Sequence, residues 1–171
     1  MRTEVNFEQH VLKVTKVDGM MVHDLCKPNT ITDRVMFINT NGIMAVTGDY
    51  GNWIFCREFH PSNKNSTDGR YWAEKLCLSS TQDPYEFDVE AVREEVSELK
   101  ENHELTEEEI EWLDELVCAA EDGEYSFIAK AMDRPNGFEA EMIPRGKKFK
   151  FWFEVILDAF EEICKRIKEQ K

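Results

Sequence analysis

A chain of 171 residues, 42% hydrophobic and 33% charged with a net charge of −14, has the composition of a folded globular protein and not of a disordered segment. No apolar run approaches the roughly 20 residues a membrane-spanning helix needs, and Met1–His10 carries no signal-peptide stretch. A single domain over residues 1–171, cytoplasmic and without membrane contact, is therefore expected.

In chain order, residues 1–60 read mainly as strands. Asn6–Val11 fits either a strand lead-in or a short helix. Val11, Leu12, Val14 and Val17 run into Asp18-Gly19, a hairpin dipeptide, and then Met20, Met21 and Val22. Arg34–Asn39 and Ile43–Thr47 flank a second hairpin dipeptide, Asn41-Gly42, and a turn at 48–52 leads into Trp53–Arg57. This pattern predicts an antiparallel meander of four or five strands, one face covered by helices and the other partly occluded.

Residues 67–171 read mainly as helices, giving an α+β fold. A polar loop over 60–69 precedes a short helix at Arg70–Leu78, starting near Thr67 or Asp68, and a second loop covers 81–85. Asp88 suits an N-cap before the stripe Val89, Val92, Val96 and Leu99. Thr106 and Glu109 match a capping box, with Leu105 and Ile110 placed for a hydrophobic staple. Ile110, Leu113, Leu116 and Val117 form the expected buried stripe of that second helix, which Asp122-Gly123 ends. A further helix fits Tyr125–Met132, and 136–146 reads as a loop. From about Lys148 to Lys168, Phe149, Trp152, Phe153, Ile156, Leu157, Phe160, Ile163, Cys164 and Ile167 advance by threes and fours, the spacing of an amphipathic helix.

The charge is unevenly spread. Residues 1–80 carry nine acids and nine bases, whereas residues 81–125 carry eighteen acids against only Arg93 and Lys100, a net of −16. Helical spacing puts Glu90, Glu94, Glu98 and Glu101 on one exposed face of this predicted hairpin. Glu104, Glu108, Glu111 and Glu115 share a second face, with Glu107 and Asp114 beside it. Like charges at this spacing destabilise a helix by roughly 0.2–0.5 kcal/mol per pair, so helix stability alone would favour interspersed lysines. The array argues against direct binding of nucleic acid through its phosphates. Such carboxylates either solubilise the chain or attract a basic protein surface, such as one that normally holds nucleic acid.

A second candidate is the stretch Thr47–His60. Asp49, Tyr50 and Asn52 sit on a glycine-flanked turn, while Arg57 and His60 follow the next strand. With Tyr71 and Trp72 as walls, these residues could line a ligand pocket, with Asp49 or His60 as acid or base and Cys56 as nucleophile. The competing reading makes the glycines shape a hairpin and Trp53, Phe55 and Phe59 fill the core. Arg145, Lys147, Lys148 and Lys150 interleave with Phe149, Phe151, Trp152 and Phe153. This suits either single-stranded nucleic acid or docking on the acidic hairpin or a second copy, and homo-oligomerisation stays open.

Cys26, Cys56, Cys77, Cys118 and Cys164 are odd in number and scattered without a C-x-x-C pair, predicting reduced, mostly buried thiols. His10, His23 and His103 are isolated and read as surface or structural residues. No metal-ligand pairing, Walker loop, dinucleotide fingerprint or nucleophile elbow occurs, so neither metal nor cofactor is expected and catalysis is disfavoured.

The stretch Val35–Pro61, notably Phe37–Thr40 and Val46–Pro61, resembles small uncharacterised proteins of bacteriophages and prophages, over about a sixth of the chain. That resemblance implies an anti-defence context, such as anti-CRISPR or DNA-mimic anti-restriction inhibitors. The leading expectation is a non-catalytic inhibitor or adaptor docking its acidic helices on a basic host protein. The alternatives are a small-ligand or nucleotide binder, or an enzyme, built on the Asp49–His60 turn, and a structural or self-assembling phage component.

Overall fold

The computed structural model describes residues 5–30, 32–61, 68–80 and 83–170. Thr67 and parts of the loops expected at 60–69 and 81–85 lie outside these. The chain divides into two compact units, Met1–Pro84 with Phe149–Lys171, and Tyr85–Lys148.

The first unit is built on an antiparallel meander of six strands in the order β1-β2-β3-β4-β5-β6. They are β1 (Val11–Val17), β2 (Met20–Cys26), β3 (Val35–Thr40), β4 (Ile43–Gly48), β5 (Trp53–Phe55) and β6 (Leu76–Ser79). The first and third connections are two-residue turns, Asp18-Gly19 and Asn41-Gly42, with positive φ at all four residues. Primed turns demand that geometry, and it matches the right-handed twist of the flanking strands.

Alternation along the strands sends Leu25, Val35, Phe37, Met44, Val46, Trp53 and Phe55 to one face. There they are buried against Phe153, Ile156, Phe160 and Ile163 of helix α5 (Phe151–Glu169). Trp72, on the short helix α1 (Gly69–Lys75), stacks in this core with Phe37, Phe55, Phe59 and Phe160. The other face carries a registered apolar row, Val22, Ile38, Ala45, Ile54 and Leu78, with Leu78 63% exposed.

Three expectations change in this unit. The helix expected to run to Leu78 ends at Lys75, and Leu76–Ser79 extends as β6, because β5 offers unpaired backbone groups that the segment satisfies. Asn6–Val11 forms a turn at Glu8-Gln9, not a helix, and Arg166 of α5 fixes it by donating to the carbonyls of Phe7 and His10. The last helix begins at Phe151. Phe151 and Trp152 are about half exposed, so Trp152 does not belong to the buried stripe and instead meets Tyr50 at a ring separation of 5.8 Å.

The second unit contains α2 (Val89–Asn102), α3 (Glu107–Glu121) and α4 (Glu124–Met132). A two-stranded sheet, β7 (Tyr85–Phe87) with β8 (Lys147–Phe149), stands where the chain enters and leaves it. Asp88 caps α2 by accepting from Ala91 N–H at 2.9 Å, and Thr106 and Glu109 form the capping box of α3. Val92, Val96, Trp112, Leu113, Leu116, Ala120, Phe127 and Phe138 make a separate core.

Ile110, expected in the buried stripe, is 39% exposed, and Trp112 is buried instead. On α3, Ile110 lies about a quarter-turn from the arc centred between Leu113 and Leu116. The Trp112 ring occupies the buried side and donates its indole N–H to the Lys130 carbonyl at 3.2 Å.

Candidate docking face and the turn cluster

Charge separates along the same division as the fold. The unit Tyr85–Lys148 holds twenty acids and seven bases, a net of −13, whereas the remainder of the chain holds fifteen acids and fourteen bases. All ten carboxylates singled out on α2, α3 and their connection are exposed. They divide by what holds them. Glu90 pairs with Arg93, Asp114 with Lys100 at 2.6 Å, and Glu115 with Lys130. Glu94, Glu98, Glu101, Glu104, Glu107, Glu108 and Glu111 make no ion pair among the described residues.

Helix electrostatics accounts for part of the array. Glu107, Glu108 and Glu109 occupy the first turn of α3, where unsatisfied backbone N–H groups favour negative charge. Hydrogen bonds from the Thr106 N–H and hydroxyl hold the Glu109 carboxyl below its ordinary range. The same argument fails elsewhere. The last turn of α3 contains no base, and Glu121 and Asp122 stand at its negative end, with Arg93 reaching Glu121 from α2. Among the described residues, Glu94, Glu98, Glu101, Glu104 and Glu111 serve no cap and no ion pair.

Along α3, Glu107, Ile110, Glu111, Asp114, Glu115 and Cys118 line an open hollow of about 490 Å³. Exposed Ile110 among carboxylates suits a lysine or arginine side chain, whose aliphatic stem packs on apolar surface while its head meets the acids.

The turn cluster does not converge. Asp49 accepts from the Arg34 N–H at 2.9 Å, and Asn52 accepts from the Thr47 hydroxyl at 2.7 Å. Tyr50 donates to Asp33 at 3.1 Å, and burial together with Asp33 pushes its phenol up to about 12. These three residues sit before β5, and Arg57 and His60 follow it. Arg57 stacks on Tyr71 with 5.2 Å to the ring centroid. Glu58 accepts from the Gly42 N–H at 3.0 Å and meets His60 Nε2 at 2.9 Å. Gly42, Cys56, Arg57, Glu58 and Lys75 line an open hollow of about 540 Å³, which includes neither Asp49, Tyr50 nor Asn52.

The basic segment folds back within its own unit: Lys148 lies 3.5 Å from Asp88, and Lys147 sits over the Tyr85 ring. Cys56, Cys77 and Cys118 are exposed, correcting the expectation of mostly buried thiols; only Cys164 is fully buried. No helix is long and apolar enough to cross a membrane, and no group of three metal-ligating side chains occurs, among the described residues.

No family model matches the chain, and no curated protein or solved structure matches it either.

Proposed function

We propose that the protein is a non-catalytic inhibitor or adaptor that docks the acidic faces of α2 and α3 on a basic protein surface of the kind that binds nucleic acid. The observation that supports this reading is the concentration of exposed carboxylates that make no ion pair among the described residues: Glu94, Glu98, Glu101, Glu104 and Glu111, in a unit of net charge −13. Carboxylates along two adjacent helices present negative charge to a partner much as a phosphate backbone does. Ile110 adds apolar contact at the centre of that field.

The test is retention of bacterial proteins by the immobilised chain at low salt, repeated with Glu94, Glu98, Glu108 and Glu111 all changed to lysine. Nucleic-acid-binding proteins retained by the native chain, displaced by duplex DNA or rising salt, and lost from the folded variant support the reading. Equal retention by the variant overturns it.

A further inference from the structure

We propose that Cys56 and Cys77 form a redox-active dithiol that closes to an intramolecular disulfide on meeting a hydroperoxide and reopens with a thiol reductant. The pair is created by an irregularity in the sheet. Ile54 faces Leu78 and Phe55 faces Leu76, which leaves Cys77 as the extra residue of a bulge. Past the bulge the segments stay joined, with the Cys56 N–H donating to the Lys75 carbonyl at 2.8 Å.

Because Trp53 and Phe55 are buried, alternation turns Cys56 outward, and the bulge leaves Cys77 exposed as well. The Cys77 thiol donates to the Lys75 carbonyl at 3.8 Å, the same carbonyl that accepts from the Cys56 N–H, so the two cysteines converge on one backbone group. Cys118 is equally exposed but has no thiol partner among the described residues.

The two sulfurs take different roles. The neighbouring Cys56 side chain raises the Cys77 thiol above its ordinary range, so Cys77 holds its proton longer. Cys56 takes the attacking role because it lines the open hollow that Arg57 and Lys75 also line, whereas Cys77 does not. The Cys56 thiolate attacks the peroxide, the O–O bond breaks, and the leaving oxygen takes up a proton to depart as alcohol or water. Cys56 is thereby oxidised to the sulfenic acid. Cys77 then loses its proton to solvent and its sulfur attacks that of Cys56. The S–S bond forms, the S–O bond breaks, and the oxygen leaves as water. Two thiols and one hydroperoxide give one disulfide, one alcohol or water, and one water.

The test treats the reduced full chain with one equivalent of hydrogen peroxide and maps its peptides without reduction. A Cys56–Cys77 cross-linked peptide, absent after dithiothreitol, is expected. In Cys77→Ser, Cys56 should stop at a sulfenic acid that dimedone traps, and in Cys56→Ser labelling of Cys77 should fall at least several-fold. Phenylarsine oxide, which bridges neighbouring thiols, checks the native chain without substitution: it should protect both Cys56 and Cys77 from alkylation and leave Cys118 open. Cross-links to Cys118 between chains, independent oxidation of the two thiols, or alkylation of both after the arsenical would overturn the proposal.

Discussion

Asn39 and Phe59 are joined by two hydrogen bonds in the core: the Asn39 amide donates to the Phe59 carbonyl at 2.7 Å, and the Phe59 N–H returns to Asn39 Oδ1 at 3.2 Å. Asn39 is 1% exposed, so both backbone groups of Phe59 depend on this one side chain. The contact holds the segment after β5 against β3 and seats Phe59 beside Trp72. Asn39→Leu is expected to destabilise the fold by about 1–3 kcal/mol for each backbone group left unpaired. Asn39→Asp keeps the acceptor but buries a charge, and should be no better tolerated. Urea denaturation measures both, and a loss below a few tenths of a kcal/mol for Asn39→Leu would show that the segment is held by its apolar contacts alone.

Gly48 closes β4 at φ +141°, and a β-carbon there would meet the Arg34 carbonyl oxygen at 2.0 Å. The clash is with backbone that is itself engaged, since that carbonyl accepts from the Asp49 N–H at 3.0 Å. Gly48→Ala should therefore cost more than the roughly 1–3 kcal/mol of an unfavourable φ alone. Gly19→Ala, at φ +80° in open space, should show the backbone term without a clash. Equal midpoint shifts in the two variants would mean that Arg34 moves aside freely.

Much of the fold is legible in the sequence because local chemistry carries it. Asp18-Gly19 and Asn41-Gly42 announce the hairpins, Thr106 and Glu109 announce the start of α3, and the ten acids singled out all emerge exposed, although Glu104 lies in the connection between α2 and α3 and not on the second helix. The misses arise where tertiary structure decides. Residues 70–78 contain no helix breaker, and only the open edge of β5 makes Leu76–Ser79 a strand. The bulge that brings Cys77 to Cys56 follows from that pairing and leaves no trace in spacing. The Asp49–His60 cluster is compact in sequence but divided in space, because β5 places about 10 Å of extended chain between its halves.

His10 and His23 are buried, and the Nδ1 atoms of both lack a hydrogen-bond partner among the described residues. Burial lowers the pKa of each, with His60 adding to the effect at His23 and the Asp33 carbonyl partly opposing it at His10. The folded state thus prefers both rings neutral, while the unfolded chain takes up protons near pH 6.5. This contribution to stability is complete above that value and is lost as the pH falls below it toward the depressed folded values. Urea midpoints should fall between about pH 7 and about pH 5, and His23→Gln should flatten the profile. A proton NMR titration placing His23 at or above the ordinary imidazole value would contradict this.

Glu98 distinguishes acids kept for the fold from acids kept for a partner. It faces Glu94 and Glu101 at helical spacing, holds no ion pair among the described residues, and lies too far along α2 to benefit from the helix N-terminus. Glu98→Lys converts two repulsions into attractions, with Glu94 correctly placed on the N-terminal side of the new base. The gain should be roughly 0.2–0.5 kcal/mol per pair. It should shrink with added salt, which screens these exposed charges. A higher urea midpoint at low salt, accompanied by weaker capture of basic proteins, is the outcome expected of a position held for binding at the expense of stability. A lower midpoint would make Glu98 part of what holds α2 together, and would remove from the docking proposal one of the acids on which it chiefly rests.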